Sequence, residues 1–380
     1  MKKLIILVIS LVMIMTSPMS ALAMSETAEN NHIIILNNVY DKIFEEIRDI
    51  ILYKYGDSYS FDNFSYEIEN ERIDGNDILV DIDIFTEMTL TKHPLEGELI
   101  KLMNNKIALI TNKAEKEYLQ NEVDKIVKEV EELYYDKKDD TLIKYTVRIE
   151  NANNKNVIKF DGVKYSLYYR TDITSDKVIL EPVKKIIKVN SDKEKINENA
   201  ENAISSMLSS FNKVAKSSFT YNRLAARDYA IDHATDEPEF SKANNQGSDC
   251  ANFVSKALNA GGIPTDKKGK WYPSTDGTTA TCGTNWMRTG YYAGMGGVVP
   301  YMVDKEYFYE QSDESKVYAG SIMYWNDESH VALVTYGDTV KIKYSQHSNV
   351  KLSEKKAVNV LYESDEVSAT FYMPSSTIME

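Results

Sequence analysis

Four residues have the types and order that could carry out chemistry: Cys250, His330, His347 and Asn349. A cysteine nucleophile needs a base to take its proton, and the base needs a group that orients it. Cys250 stands near the start of DCANFVSKALNAGG, Asp249 to Gly262. There Cys250, Phe253, Val254, Ala257 and Leu258 fall on one apolar helical face. Asp249 is placed as the N-cap, and Gly261 and Gly262 supply a left-handed helix end. The first turn of such a helix favours a thiolate, because its dipole and unpaired N–H groups meet the sulfur. His330 opens an apolar run to Tyr336, directly after the polar stretch NDES. A two-residue turn at Gly337-Asp338 would set His330 opposite Ser345 and His347 diagonally next on the same face. Gln346 would then point away, and Asn349 would share the parity of His347. The expectation is a triad of Cys250 as nucleophile, His330 as base and His347, or in its place Asn349, as the orienting group.

Two plainer readings stand beside this one. An apolar-face cysteine is commonly a small core hydrophobe. The chain has only two cysteines, Cys250 and Cys282, so in an exported protein a disulfide is the other alternative. A capped helix start, in a domain large enough to need no staple, favours a free Cys250.

The elements that must position these residues form the second half of the chain. YNRLAARDYAIDHA, from Tyr221, reads as a helix, and the cysteine helix follows. Residues 263–300 are rich in Gly, Thr and Tyr and carry Trp271 and Trp286, a candidate substrate groove. Ile322 to Trp325, His330 to Tyr336, Thr339 to His347, Leu361-Tyr362 and Ala369 to Met373 read as strands. In the first half, Leu36, Tyr40, Ile43, Phe44, Ile47 and Ile51 make a helical stripe. Alternating runs follow at Phe64 to Ile68 and Val80 to Ile84, with Asp74-Gly75 as the hairpin signal between them. Residues 95–137 return to helical spacing. Ile143 to Ile149 and Val163 to Tyr169 alternate again. This order predicts an α+β domain over 24–185, for which a cystatin-like or NTF2-like curved sheet is an analogy. No chemistry is legible in it, and its expected role is accessory. Residues 186–220, polar and Ser- and Asn-rich, read as a linker carrying one amphipathic helix, with the second domain at 221–380.

Lys2 and Lys3, an apolar run from Leu4 to Met15 and Ala21-Leu22-Ala23 predict a secretory signal peptide over residues 1–23. Its removal takes two lysines and no acid, moving the formal charge from −14 to −16. Such a chain has no electrostatic pull towards nucleic acid or an anionic membrane. No later run is long enough to span a bilayer, so a secreted protein associated with the cell wall is expected.

YNRLAARDYA, DCANFVSKALNAGG, the Trp271 and Trp286 insertion, HVALVTY and YSQHSN together resemble the bacterial amidase-domain family of the papain-like clan, related to CHAP and NlpC-type cell-wall hydrolases. The resemblance covers about 150 of 380 residues, from Tyr221 to near Met373. It implies a papain-like domain, a helix-borne cysteine packed on an antiparallel sheet, that hydrolyses an amide of peptidoglycan or another substrate. Cys250 would attack the carbonyl and His330 would protonate the departing amine. The Cys250 N–H would donate to the oxyanion, with Gln246, or else Asn245, as second donor. No metal or other cofactor is implied, since the histidines lack a zinc-ligand spacing. Gly320-Ser321 stands where the family usually reads Gly-Asp. An inactive module that binds the wall or a partner is the alternative consistent with that departure.

Overall fold

A computed structural model describes residues 26–150, 164–170, 191–211, 218–239, 249–268, 271–272, 297–312, 314–325, 330–348, 350–362 and 369–379. The expected signal peptide, Gln246, Asn245, Cys282, Trp286 and Asn349 lie outside the described residues. The fold is α+β with two antiparallel sheets.

The first sheet is a meander of β1 (Tyr59–Asp74), β2 (Asp77–Leu90), β3 (Lys138–Ile149) and β4 (Tyr165–Tyr169) in that order. Gly75, at φ +63°, makes the hairpin between β1 and β2. Alternation sends Val80, Ile82 and Ile84 of β2, with Ile143, Tyr145 and Val147 of β3, to one face. There they meet Tyr40, Ile43, Ile47 and Ile51 of α1 (Glu26–Tyr55), four residues of the expected helical stripe. The other face is ionic: it carries Asp81, Asp83, Thr146 and Lys144, all buried, and Arg170 just beyond β4.

α2 (Glu98–Ala108) and α3 (Lys113–Leu133) form a separate layer, and α4 (Ser191–Phe211) joins it. α4 is the amphipathic helix expected within 186–220. Ala200, Ala203 and Ile204 of α4 pack on Met103, Ile107, Leu119 and Val123. Two alanines let the helices approach closely.

In the second half, α5 (Arg223–His233), α6 (Cys250–Ala260) and α7 (Val298–Asp304) lead into β5 (Phe308–Gln311), β6 (Ile322–Trp325), β7 (His330–Gly337) and β8 (Ile342–Ser345). α8 (Glu354–Ala357), β9 (Val360–Leu361) and β10 (Ala369–Pro374) follow, and the sheet order is β5-β10-β6-β7-β8-β9. Phe253, Val254, Ala257 and Leu258 of α6 pack on Val331 and Leu333 of β7 and on Ile322 and Tyr324 of β6. The opposite face of the sheet is also apolar, with Met323, Trp325, Ala332, Val334 and Tyr344. Gly262, at φ +100°, ends α6. At Gly261 a side chain would meet the Tyr221 ring within 2.4 Å, so only glycine allows this approach.

The two sheets share a buried ionic seam. Lys341 and Lys343 place their ammonium groups 2.5 and 2.7 Å from Asp139. Tyr59 donates to Asp338, and the rings of Tyr134 and Tyr336 lie 4.1 Å apart. Burial, with Lys341 beside it, pushes Lys343 down to about 8. Burial also raises the Asp139 carboxyl, but the two lysines outweigh it and hold it below its ordinary value.

The β7–β8 connection departs from the expected two-residue turn. Gly337 pairs with Ile342, which leaves a loop from Asp338 to Lys341. The Asp338 carboxylate closes the loop by accepting from the N–H groups of Val340 and Lys341 at 3.0 and 2.8 Å, and Thr339 sits at φ +77°. A bulge then intervenes between Val334 and Tyr336, so that Leu333 lies opposite Ser345. The loop alone would have kept His330 and His347 on one face; the extra residue of the bulge turns the parity over.

Candidate active site

Cys250 occupies the first turn of α6, buried at 1% exposure, with no side-chain cap on the helix. The expected cap does not form. Asp249 turns its carboxylate away from the first-turn amides: one oxygen accepts from Asn252 Nδ2 at 2.9 Å and the other faces His347 Nδ1 at 2.6 Å. Asn252 also reaches Glu239 at 3.2 Å. The spacing of Asp249 and Asn252, one helical turn, suits this bond, and the DC-x-N motif is thus a clamp on the helix start.

His347 does not orient His330. Its Nε2 lies 2.8 Å from the carbonyl oxygen of His233 and its Nδ1 meets Asp249, so both ring nitrogens are held by acceptors. Its ring stacks on Phe253 at 4.4 Å. The parity reversal in β7 is the cause, since it puts His347 on the α6 side of the strand end.

Gln346 takes the place expected for His347. Its Oε1 lies 2.8 Å from Nε2 of His330. The direction of that bond follows from the other end of the amide: Nε2 of Gln346 is 2.8 Å from the Lys356 carbonyl, which can only accept. The amide nitrogen therefore faces Lys356, the amide oxygen faces His330, and His330 Nε2 carries the proton. The backbone N–H of Gln346 donates to the Ala357 carbonyl at 2.9 Å. In the neutral ring Nδ1 is then the basic nitrogen, and it has no hydrogen bond among the described residues. The Trp325 ring lies 5.0 Å from the imidazole. Burial drives His330 from 6.5 down to about 4, with the Gln346 bond opposing the shift.

Three consecutive residues join the two halves of this arrangement. Gln346 reaches His330, His347 reaches Asp249, and the Ser348 carbonyl accepts from the Asp249 N–H at 3.3 Å. The nucleophile candidate and the base candidate thus flank the end of β8. The sequence reading missed Gln346, Trp325 and the Lys356 carbonyl. An amide one residue from the expected position was the only available signal for them.

Trp271 is not a groove wall. It is 2% exposed, its Nε1 donates to Ser255 Oγ at 3.2 Å and its ring stacks on Tyr301. An indole whose N–H finds a partner under a helix is a core anchor. Ser321 is buried in the sheet with its hydroxyl 3.0 Å from the Met373 sulfur, so the departure from Gly-Asp touches neither histidine. Among the described residues no group of three or more His, Cys, Asp or Glu is disposed to hold a metal ion, and no helix is long and apolar enough to cross a membrane.

Residues 220–372 match the model of a family described as "Putative amidase domain". The match supports an amidase-domain family for this part of the chain and, with it, amide hydrolysis as the class of reaction. A search of curated proteins finds no match, and neither does a search of solved structures.

Proposed function

We propose that this protein is an exported cysteine amide hydrolase of papain-like design, with Cys250 as nucleophile, His330 as base and Gln346 as the group that orients the base. The observation that carries the reading is the fixed tautomer of His330: Gln346 holds the Nε2 proton, which leaves Nδ1 as the acceptor. A helix-borne thiol and a strand-leading histidine both fall within the segment matched to an amidase domain.

In the first half-reaction the Cys250 thiol gives its proton to His330 Nδ1 while the sulfur bonds to the amide carbonyl carbon. First-turn amides of α6, which Asp249 leaves uncapped, are suited to the oxyanion. The C–N bond breaks as Nδ1–H protonates the leaving amine, and a thioester remains. Water then attacks the thioester and gives a proton to Nδ1. The C–S bond breaks, the acid is released and the proton returns to the thiol. Held down to about 4, His330 is neutral at physiological pH, which leaves Nδ1 open to a proton but weakens its drive to take one.

The substrate proposed is an amide of peptidoglycan, on the strength of the signal-like leader and the resemblance to cell-wall hydrolases. The test is digestion of purified peptidoglycan by the wild type and by Cys250→Ala, with mass spectrometry of the new ends. Paired amine and carboxyl ends from the wild type alone are expected. The same ends from Cys250→Ala would reject the nucleophile, and cleavage of small amides without any from the wall would reject the substrate.

A further inference from the structure

The first sheet carries no nucleophile or base, yet it touches the active-site scaffold at one informative place. α8 is a single turn whose Lys356 and Ala357 carbonyls hold both the side chain and the backbone of Gln346. So short a helix has little stability of its own. Its two lysines reach across to the ionic face of the first sheet. Lys355 Nζ lies 2.7 Å from Glu67 on β1, 3.8 Å from Asp83 on β2 and 4.5 Å from the centroid of the Phe85 ring. Lys356 Nζ lies 3.7 Å from Glu69. Arg170 braces the same carboxylates, pairing with Asp83 and lying 3.7 Å from Glu69. Asp83 is fully buried and its second oxygen has no hydrogen bond among the described residues; Lys355 approaches it to 3.8 Å. Burial raises its carboxyl, with Glu69 adding to the rise and Arg170 and Lys144 working against it.

We propose that the first sheet is a positioning element for the catalytic base: Glu67, Glu69 and Asp83 fix α8 through Lys355 and Lys356, and α8 fixes the Gln346 amide that sets the tautomer of His330. The proposal rests on the assignment of His330 as base. It gives the first half of the chain a role in the reaction although none of its residues meets the substrate. Lys355, Lys356, Glu67 and Glu69 are positioning residues. Each acts through the α8 carbonyls, so its loss lets the Gln346 amide turn over and frees Nε2.

The experiment uses the full chain in two readouts. The first is ¹⁵N NMR of histidine-labelled protein in the Cys250→Ala background, which reads the His330 tautomer without any turnover. The wild-type pattern is a protonated Nε2 and an unprotonated Nδ1. Lys355→Ala with Lys356→Ala, and separately Glu67→Gln with Glu69→Gln, should give a mixture of tautomers, as Gln346→Ala does. The second readout is hydrolysis of a small amide, where either pair should lower kcat about threefold to tenfold with KM unchanged, the range that a few partly exposed ion pairs can transmit. The reciprocal exchange of Lys356→Glu with Glu69→Lys should restore both. A tautomer that stays pure in both double variants, while Gln346→Ala disturbs it, overturns the proposal. Equal losses in the exchange variant and its single parents, with the tautomer unmoved, overturn it as well. Activity persisting in Cys250→Ala would instead reject the nucleophile and leave the tautomer readout to decide this question alone.

Discussion

Two histidines stand on either side of the end of β8, and their surroundings differ in one respect that matters. His347 has an acceptor on each nitrogen, one of them a buried carboxylate, and an aromatic ring against its face. Among the described residues His330 has an acceptor on one nitrogen only, and that acceptor is a neutral amide. An acceptor on each nitrogen locks the His347 ring in place, whereas a single neutral amide orients the His330 ring from one side. Proton transfer needs a nitrogen that can be vacant, so the pocket with fewer bonds is the one suited to chemistry. The pocket with more bonds ties β8 to the start of the cysteine helix.

The sharpest way to break this comparison is to remove its reactive side. Cys250→Ala and His330→Ala should each lower amide hydrolysis by about 10³-fold or more, with unchanged circular dichroism. If His330→Ala keeps its rate and His347→Ala loses it, the roles of the two pockets are reversed.

The amide comes next. Gln346→Ala should cost about ten- to a hundredfold in kcat, the loss typical when a histidine loses its orienting partner. Gln346→Glu should raise the basicity of His330 by giving it a charged partner. Its activity should therefore fade at a higher pH than that of the wild type. A Gln346→Glu profile that coincides with the wild type would show that the amide does not face the base.

The pH profile tests the same contrast without mutation. The reaction needs neutral His330, and the folded protein holds it near 4, so kcat/KM should persist down to about pH 4. At pH 5 an imidazole of ordinary basicity would leave about thirtyfold less neutral base. Stability follows with the same sign. The unfolded chain binds the His330 proton below about 6.5 and the folded chain only near 4, so this contribution is present above 6.5 and is lost as pH falls towards 4. A kcat/KM limb centred at 6.5 would contradict the burial described.

The smallest expected effect on chemistry is that of His347→Ala. It strands the Asp249 carboxylate, so stability should fall by about 3 kcal/mol, read by urea unfolding. The rate at 25 °C should fall only a few-fold, through loosening of the α6 start. A fall in rate as deep as that of Gln346→Ala, with stability intact, would give His347 a share in the reaction.

Much of this arrangement follows from local chemistry that a single strand of residues carries. Apolar spacing after Asp249 makes α6 and puts Cys250 in its first turn; a short continuous apolar run from Val331 to Val334 makes β7, buried on both faces, and puts His330 at its start. Alternation makes the first sheet, and its hairpin at Gly75. These features depend on neighbours within a few residues, so the order of types determines them. The identity of the orienting group does not depend on neighbours. It turns on one extra residue in β7, at the bulge between Val334 and Tyr336, where the Thr335 hydroxyl donates to Asn359 Oδ1 at 2.6 Å. Asn359 itself sits at φ +48°, and its position comes from how β9 returns beside β8. The capping role of Asp249 failed for the same reason, because a histidine 98 positions away competes for the carboxylate. The docking of α4 was not legible either, since two alanines and an isoleucine become a packing face only when α2 and α3 present the surface to receive them. Periodicity is a property of the chain, whereas a bulge, an ion pair across the fold and a docked helix are settled by contacts that exist only once distant segments have met.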